Sequence, residues 1–572
     1  MRVHARIRLT GLLLVAVVGL LPRPTVAAWP TDPLVNVPLC TAVDFQWRPT
    51  VVPDGAGGAI ITWYDNRTGA SDVYAQRVSA DGVLLWTPDG VPLCTAASSQ
   101  FMPSITADGA GGAIVAWQDR RGGEYSDIYA QRVSAAGFPQ WTADGVALCT
   151  AFDDQLSCTI VADGAGGAIV TWQDHRSVLV VGNDIYAQRI SAGGVPQWTA
   201  NGAPLCTALG EQTEPRIAAD GESGAIVTWE DQRSGSGFGS AEIYAQRISA
   251  GGAVQWTPNG VALCTALYDQ SNPDIVPDGA GGAIVAWADM RSQAFDIYAQ
   301  RVSAAGAVLW APNGMALCTA AGEQAGVAMA SDDAGGAILT WVDGRGLGSH
   351  DIYAQRVSAA GLFQWTADGV ALCDAAAEQT FPTIVADGRS GAIVTWFDQR
   401  TGSGDVYAQR VTSGGKPRWG ADGVAVCLAA GSQLWPALAS DGESGAIVAW
   451  EDGRNGTNDI YAQRVLADGY LGGGSVDVPG DASLALALDP MRPNPSRGGP
   501  LTVRFTLASA GAASIELFDV AGRRMAAREV SSLGVGRHAL DLREGRRLAP
   551  GLYLVALRQG TSVRVTRVVV LD

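Results

Sequence analysis

The chain has 572 residues, of which 72 are glycine, 47% are hydrophobic and 17% are charged. Disordered chains combine low hydrophobicity with high charge, so this composition excludes a largely disordered protein and indicates a turn-rich folded one. The formal net charge is −17, which argues against nucleic acid as the main partner. Residues 29–481 carry a net charge of −27 and residues 482–572 carry +6, which indicates two units with different roles.

The N-terminus has the layout of a secretory signal peptide. Three arginines precede an apolar run over residues 9–21, and a small-residue cleavage site, Val-Ala-Ala, ends at Ala28. The run of 13 residues is too short to span a bilayer, and no later stretch reaches the roughly 18 apolar residues that a spanning helix needs. The sequence predicts a signal peptide over residues 1–28 and an exported mature chain without a transmembrane segment.

Most of the chain consists of eight copies of one unit, spaced by 54 to 58 residues. Each copy contains a Gln-x-x-Pro unit, then a Trp-x-Asp-x-Arg unit, then the phrase Asp-Ile-Tyr-Ala-Gln-Arg with small variations. The Gln residues are at positions 46, 100, 155, 212, 270, 324, 379 and 433, and the Trp residues are at 63, 117, 172, 229, 287, 341, 396 and 450. The Tyr residues are at 74, 129, 186, 244, 298, 353, 407 and 461.

The pattern of each copy predicts a four-stranded antiparallel meander. In the seventh copy, β-branched runs over residues 383–386 and 392–396 flank a Gly-rich turn, and residues 406–411 and 424–427 form two further strands. No segment has a helical period. Four strands in about 55 residues, repeated eight times, are typical of a β-propeller. We therefore predict an all-β protein in which an eight-bladed β-propeller over residues 29–471 is followed by a small Ig-like β-sandwich.

The two ends of the repeat region complement each other. The last copy lacks the Trp and Val-x-Leu-Cys segment that ends the other seven copies. An equivalent segment lies at the start of the mature chain, from Trp29 to Cys40. We predict that this N-terminal segment completes the eighth blade and closes the ring.

A Gly-, Ser- and Asp-rich linker is predicted over residues 472–483, and short alternating strands follow. Four motifs follow one another in this region. They are Pro493-Asn494-Pro495, a strand over residues 501–505, Ile-Glu-Leu-Phe-Asp-Val-Ala-Gly-Arg ending at Arg523, and Leu-Ala-Pro-Gly-Leu-Tyr-Leu ending at Leu554. Residues 484–572 thereby resemble the C-terminal sorting domain of the type IX (Por) secretion system, which is similar to the Ig-like domain of flagellar hook-capping proteins. The resemblance implies recognition by the secretion machinery, outer-membrane export, and attachment to the cell surface or release.

Disulfides are permitted in an exported protein, but the cysteine pattern argues against them. Eight of the nine cysteines occupy one place in successive copies, and equivalent places in neighbouring blades are too far apart to be bridged. They are Cys40, Cys94, Cys149, Cys206, Cys264, Cys318, Cys373 and Cys427. We expect them to be unpaired, buried small side chains. Cys158, the ninth, replaces the proline of its Gln-x-x-Pro unit.

Motifs for catalysis or metal binding are weak. The mature chain has three isolated histidines, His175, His350 and His538, too few for a histidine metal centre or a nucleophile–histidine triad. The eightfold Trp-x-Asp-x-Arg unit predicts a structural ion pair that bridges to the next blade. The Asp-Gly-x-Gly-Gly motif predicts a structural turn without a ligand, and weak Ca²⁺ binding is the alternative. We therefore expect no cofactor.

Function on a symmetric scaffold is expected where the copies differ. Two loops of each copy open on one face of the propeller: the loop before the first strand and the loop between the second and third strands. Both loops vary between copies. The loop between the second and third strands is longer in copies 3 and 4, at residues 177–182 and 234–240. The first loop carries an aromatic residue in copies 1, 2, 7 and 8, which become neighbours when the ring closes. These candidate ligand-binding residues are Trp47, Phe101, Phe381 and Trp435. They could stack on sugar rings or hold a peptide, or merely pack beneath the loops.

The sequence thus predicts a secreted or cell-surface propeller that recognises a glycan or protein ligand through its variable loop face. One alternative is a secreted polysaccharide-degrading enzyme, a glycoside hydrolase or lyase, for which Asp153-Asp154 or Asp332-Asp333 are the only obvious extra acids. Another is a structural module of a surface assembly, whose face should be apolar and lack a pocket.

Overall fold

The computed structural model describes residues 29–176, 182–235, 241–346, 348–472, 486–488, 496–497, 501–507, 512–530, 536–542, 548–560 and 562–571. The predicted signal peptide, most of the predicted linker and most of the lengthened loops of copies 3 and 4 lie outside these residues. The chain divides after Gly474 into two compact units. No helix occurs among the described residues, so none is present there that could cross a membrane.

The first unit consists of eight four-stranded antiparallel sheets, numbered here as blades 1 to 8. The first strands of blades 1 to 8 are β2 (Gln46–Pro53), β6 (Gln100–Ala107), β10 (Gln155–Ala162), β14 (Gln212–Ala219), β18 (Gln270–Pro277), β22 (Gln324–Ser331), β26 (Gln379–Ala386) and β30 (Gln433–Ser440). The second strands are β3 (Ala59–Asp65), β7 (Ala113–Asp119), β11 (Ala168–Asp174), β15 (Ala225–Asp231), β19 (Ala283–Asp289), β23 (Ala337–Asp343), β27 (Ala392–Asp398) and β31 (Ala446–Asp452).

The third strands are β4 (Asp72–Val78), β8 (Asp127–Val133), β12 (Asp184–Ile190), β16 (Glu242–Ile248), β20 (Asp296–Val302), β24 (Asp351–Val357), β28 (Asp405–Val411) and β32 (Asp459–Val465). The fourth strands of blades 1 to 7 are β5 (Val91–Cys94), β9 (Val146–Cys149), β13 (Ala203–Cys206), β17 (Val261–Cys264), β21 (Met315–Cys318), β25 (Val370–Cys373) and β29 (Val424–Cys427). The predicted all-β propeller fold is confirmed.

The N-terminal strand β1 (Val37–Cys40) supplies the fourth strand of blade 8. It pairs antiparallel with β32, and Val37 lies opposite Ala462. Trp29 is 2% exposed and donates its indole N–H to the Ala80 carbonyl of blade 1 at 2.9 Å. The two ends of the ring are therefore joined by backbone pairing as well as by side-chain packing.

The hydrophobic core lies between neighbouring blades. Ile60, Val73 and Ala75 of blade 1 pack with Val115 and Trp117 of blade 2, and seven further clusters repeat this arrangement around the ring. The Trp of each Trp-x-Asp-x-Arg unit is completely buried. Both faces of the second strand are covered by adjacent sheets, so these strands are nearly continuous apolar runs.

The Trp-x-Asp-x-Arg unit forms a buried polar network at each blade junction. In blade 2, Trp117 Nε1 and Arg121 Nη2 donate to Asp119 Oδ2 at 2.8 and 2.5 Å, and Arg121 Nε donates to Asp119 Oδ1 at 2.9 Å. Arg121 Nη2 also lies 3.0 Å from Cys94 Sγ, which belongs to blade 1. The ion pair therefore bridges blades, but it reaches the preceding blade rather than the next one, because the cysteine ends the fourth strand of that blade.

All nine cysteines are unpaired and buried, which the sequence predicted for the eight repeated ones. The eight repeated thiols are not surrounded by apolar groups alone, because each lies against an arginine and an aspartate of the network. Burial nevertheless dominates and raises the pKa of, for example, Cys94 and Cys149 to about 12. The thiolate, which is the reactive form, is therefore scarce at neutral pH.

We expect a thiol-alkylating reagent at pH 8 to leave the native chain unlabelled and to modify all nine cysteines after unfolding. The reason is that both burial and the raised pKa suppress the thiolate. Mass spectrometry of the intact protein counts the labels. Rapid native labelling at any repeat cysteine would contradict the packing described here.

In blades 1 to 7, one glycine before the fourth strand is required by close approach to the buried Trp. Gly145 has φ +89°, and a Cβ atom there would lie 2.6 Å from the Trp117 ring. Its predecessor Asp144 also has a left-handed φ and accepts the Thr95 N–H of the preceding blade at 2.9 Å. This explains why Asp-Gly or Asn-Gly recurs before the fourth strand.

The acidic residue that begins each third strand differs between blades in its hydrogen bonding. In blade 1 the Thr68 hydroxyl donates to Asp72 at 2.6 Å. Blades 2 and 6 have Gly122 and Gly346 at the position of that threonine. Burial, followed by repulsion from neighbouring carboxylates, raises the pKa of Asp127, Asp184 and Asp351 to about 6.

A pH-dependent stability follows for an Asp127→Asn/Asp351→Asn variant. The folded-state pKa lies above the value of about 3.9 in the unfolded chain, so these carboxyls favour the folded state less as pH rises from about 4 through 6. After allowance for solvent screening, we expect the variant to be more stable by roughly 1–2 kcal/mol per site near pH 7.5 and unchanged near pH 4. Denaturant unfolding measures this. Asp72→Asn is the matched control and should increase the free energy of unfolding by a smaller amount. A double variant that is less stable than the unchanged protein near pH 7.5 would refute the prediction.

The second unit contains two sheets around its own core. The smaller sheet consists of β33 (Ala487–Leu488), β35 (Thr502–Leu507) and β38 (Gly536–Asp541). The larger sheet has the order β34 (Ser496–Arg497), β40 (Ser562–Leu571), β39 (Gly551–Gln559), β36 (Ala513–Asp519) and β37 (Arg524–Glu529). Val503 and Phe505 of the smaller sheet pack with Ile515, Val555 and Val568 of the larger one.

Candidate functional site

Every first strand contains a bulge at the third residue of its Gln-x-x-Pro unit. In β2 the pairing with β3 shifts register between Trp47 and Thr50, and Arg48 between them has φ 53°. The equivalent residues also have left-handed φ values, between 51° and 63°: Met102, Ser157, Glu214, Asn272, Gly326, Phe381 and Trp435. Such a conformation is strained for bulky side chains, and strain of this kind concentrates at functional sites.

The eight bulges surround a cavity of about 890 Å³ at the centre of the ring. First strands of consecutive blades are neighbours, and β2 contacts β30, so the ring is closed around this space. Residues of all eight first strands line the cavity, each set beginning at or next to the bulged residue. A cavity of this size falls within the usual range for small-molecule and oligomer binding sites.

Blades 7, 8 and 1 form one side of the cavity, which we call the aromatic wall and define as Phe381, Trp435 and Arg48. The ring centroids of Phe381 and Trp435 are 4.2 Å apart at an interplanar angle of 43°. The Arg48 guanidinium lies over the Trp435 ring, 3.6 Å from its centroid. Phe381 remains 45% exposed, so this wall offers aromatic surface to a ligand.

Blades 4 and 5 form the polar wall, which we define as Glu214, Arg216, Asn272 and Asp274. In a ring of eight blades, blade 4 faces blade 8 and blade 5 faces blade 1, so the polar wall lies across the cavity from the aromatic wall. Arg216 Nη1 and Glu214 Oε2 are 3.4 Å apart. Asp274 accepts the backbone N–H groups of Ile275 at 2.9 Å and Met329 at 2.8 Å.

Two glutamates, the buried Glu451 and the half-buried Glu230, support the bulges from the preceding blade. Glu451 accepts the Arg48 backbone N–H at 2.8 Å, and Glu230 accepts the Asn272 backbone N–H at 2.6 Å. Burial raises the pKa of both carboxyls, and these hydrogen bonds partly oppose that rise. Both glutamates follow the Trp of a Trp-x-Asp-x-Arg unit, a position that varies between copies and that sequence reasoning did not single out.

The four aromatic residues proposed from the sequence are divided between two environments. Phe381 and Trp435 are third residues of their Gln-x-x-Pro units and line the cavity. Trp47 and Phe101 are second residues and are absent from the cavity lining: Trp47 stacks on Phe45 at 5.3 Å, and Phe101 lies 5.2 Å from the Arg120 guanidinium. The third column of the repeat is therefore the signal that identifies the cavity residues, including Arg48, Glu214 and Asn272.

The extra acids considered for an enzyme lie outside the cavity lining. Asp154 accepts the Ser126 N–H at 2.8 Å, and Asp153 pairs with His175 at 3.3 Å. Asp332 is the aspartate of an Asp-Gly-type turn and pairs with Arg356 at 2.9 Å. These carboxylates therefore have structural partners away from the cavity.

In the Asp-Gly-x-Gly-Gly turns, the aspartate accepts hydrogen bonds from backbone N–H groups of the same turn. In blade 1, Asp54 Oδ1 accepts the N–H groups of Ala56 and Gly58, both at 2.8 Å, and Oδ2 pairs with Arg77 at 2.8 Å. Arg77 in turn donates to the Ala135 carbonyl of blade 2. Within the part of the chain that the structure describes, no group of three His, Cys, Asp or Glu side chains is placed to hold a metal ion.

Several solved structures match the chain at low identity and with low TM-scores. A protein of unknown function from Dyadobacter fermentans is 10% identical with a TM-score of 0.35, over 75% of this chain and 96% of that one. The polysaccharide lyase Uly1 is 9% identical with a TM-score of 0.36, over 68% and 93%. An α-L-arabinanase from Penicillium chrysogenum is 13% identical with a TM-score of 0.29, over 55% and 94%. No curated protein matches the chain.

The second unit has a clear relative among protein families. Residues 491–571 match the secretion system C-terminal sorting domain, in agreement with the resemblance of the same region noted from its sequence. A domain of this family directs type IX export and implies contact with that secretion machinery. The chain therefore carries a secretion system C-terminal sorting domain and is a protein of the cell surface or the extracellular space.

Proposed function

We propose that the protein is an exported recognition protein whose propeller binds a glycan or protein ligand in the central cavity, while its C-terminal domain serves secretion and attachment. The observation that carries this proposal is the pairing of two aromatic rings, the exposed Phe381 and the half-buried Trp435, with a polar wall across one cavity. Ligand sites commonly combine apolar surface with a few convergent polar groups. A purely structural module would not need aromatic surface and polar side chains facing each other across the cavity.

A polysaccharide-degrading enzyme is the second candidate, because Glu214 and Asp274 place carboxylates on the polar wall. Glycosidases use two carboxyl groups, one to protonate the leaving group and one as nucleophile or base. Here both Asp274 oxygens accept backbone N–H groups, and Glu214 lies beside Arg216. These contacts favour binding over catalysis, and chromatographic analysis of any retained glycan for shorter products separates the two functions.

The test of recognition is a glycan and peptide array screen of the secreted chain with and without a Phe381→Gly/Trp435→Gly change. Glycine fits the left-handed backbone and is the natural residue of blade 6, Gly326, so the variant should fold. We expect the array signal to be lost in this variant. A Trp47→Ala/Phe101→Ala variant is the matched control and should retain it. Loss of binding only in the control would move the site to the loop edge.

A further inference from the structure

The first strands cannot readily accept a peptide as an added β-strand, although their inner edges face the cavity. Six of the eight carry proline directly after the bulge, and proline has no N–H to donate to a neighbouring strand. These prolines are Pro49, Pro103, Pro215, Pro273, Pro382 and Pro436. The bulge itself also breaks the regular spacing that strand addition requires.

The remaining backbone groups at this edge are already used in several blades. Glu451 and Glu230 accept the N–H groups of the bulged residues Arg48 and Asn272. In addition, hydroxyl groups of the preceding blade donate to proline carbonyls, as Thr383 Oγ1 does to Pro436 O at 3.2 Å. Thr50 and Thr159 make the same contact with the next blade at 3.4 and 3.3 Å. Recognition in the cavity must therefore depend mainly on side chains.

The side chains that face the cavity have their charges balanced. The cavity lining holds two arginines, Arg48 and Arg216, and two acids, Glu214 and Asp274, so its formal charges cancel. The surrounding propeller is acidic, with a net charge of −27 over residues 29–481. A polyanion would be repelled by that field, and no unbalanced carboxylate cluster is present on the walls to attract a polycation.

The two walls together suit a flat ligand with apolar faces and polar edges. A sugar ring presents C–H groups on its face, which pack on aromatic rings such as Phe381 and Trp435. Its hydroxyl groups radiate from the edge, where carboxylate, amide and guanidinium groups such as Glu214, Asn272 and Arg216 can hydrogen-bond in pairs. A second copy of this arrangement on the same ring is precluded by the different residues that the other blades place at the bulge.

We propose that the cavity binds a neutral carbohydrate chain, with sugar rings stacked on the aromatic wall and hydroxyl groups hydrogen-bonded by the polar wall. This inference rests on the proposed recognition function and specifies its ligand class. It assigns Asn272 and Glu214 as residues that determine specificity across the cavity from the aromatic rings.

The experiment is titration calorimetry of the full secreted chain with three classes of probe of matched length. These are neutral hexasaccharides of glucose, xylose, mannose and arabinose; hexamers of galacturonic and guluronic acid; and uncharged extended peptides. The variants are Phe381→Gly/Trp435→Gly, Asn272→Gly and Glu214→Gln, of which the glycine changes keep the left-handed backbone. Phe138→Ala, at an exposed residue in the turn between the third and fourth strands of blade 2, is the control.

We expect at least one neutral hexasaccharide to bind, the uronic acid hexamers and peptides not to bind, and Phe138→Ala to have no effect. Asn272→Gly and Glu214→Gln should each weaken binding about tenfold, and the aromatic double variant should weaken it further. Binding of a peptide or a uronic acid hexamer that the aromatic variant abolishes would overturn the neutral-carbohydrate inference while leaving cavity recognition intact. Binding of any probe that is unaffected by all three cavity changes would overturn both.

Discussion

Removal of residues 29–40 from the secreted chain is expected to lower the melting temperature by roughly 10 °C. This segment buries Trp29 and Leu39 almost completely, and burial of each large apolar side chain is worth about 2–3 kcal/mol. It also supplies the strand pairing between Val37 and Ala462. In a body of this size each kcal/mol shifts the melting temperature by only one or two degrees, so the combined loss gives the stated change.

Scanning calorimetry of the truncated and full secreted chains measures this effect, and Leu34→Ala is the matched control. Leu34 lies in the same segment but is 57% exposed, so its removal should leave the melting temperature unchanged. We also expect blade 8 to lose amide hydrogen-exchange protection in the truncated chain before the opposite blades do. An identical melting curve for the truncated chain would mean that β1 does not hold the ring closed.

An Asp119→Ala change is expected to destabilise the propeller by about 3–5 kcal/mol, because removal of one partner of a buried pair leaves the other uncompensated. Asp119 is completely buried and accepts hydrogen bonds from Trp117 and from Arg121. Its loss would leave the Trp117 indole N–H without its acceptor and the Arg121 guanidinium without its charged partner at the junction of blades 1 and 2. Urea unfolding, followed by tryptophan fluorescence, measures the change.

Glu124→Ala is the matched control for that measurement, since Glu124 is an exposed acid in the loop that follows the same strand. Its effect should stay within about 0.5 kcal/mol. A small effect of Asp119→Ala, comparable to that of the control, would show that the eight networks are not structural. It would also reopen the question of why the Trp-x-Asp-x-Arg unit recurs in every copy.

Repetition made the architecture predictable from the sequence. Eight copies of the same landmarks align strands and turns with little ambiguity, because a period-2 pattern and Asp-Gly turns recur at the same offsets. The missing fourth strand of the last copy also predicts where Val37 to Cys40 pairs, and the structure places β1 there. The C-terminal family was recognisable because motifs such as Pro493-Asn494-Pro495 occur in a fixed order.

The residues that line the cavity were harder to predict from the sequence. The third residue of the Gln-x-x-Pro unit is Arg, Met, Ser, Glu, Asn, Gly, Phe or Trp, a column so varied that it resembles an ordinary loop position. The identity of Trp435 does not predict a left-handed backbone, which the bulge in β30 imposes. The division of Trp47 and Trp435 into different environments follows from a one-residue difference in position across that bulge.

The same reasoning explains why the polar wall went unnoticed. Glu214 and Asn272 lie on adjacent copies but are 58 residues apart in the chain, and only the ring geometry sets them opposite Trp435. Their backbone N–H groups are accepted by Gln173 and Glu230 respectively, which occupy a column in which other copies carry Tyr64, Ala288 or Val342. Symmetry predicts the scaffold, whereas the site depends on how eight unlike residues are combined around one centre.

The most direct test of cavity recognition is a crystal structure of the secreted chain with the tightest-binding array ligand. We expect ligand density between Phe381 and Trp435 on one side and Glu214 and Asn272 on the other, with a ring of the ligand stacked on an aromatic side chain. Ligand density on the outer loops or on the face that carries the Asp-Gly-x-Gly-Gly turns, with the cavity holding solvent alone, would contradict the account.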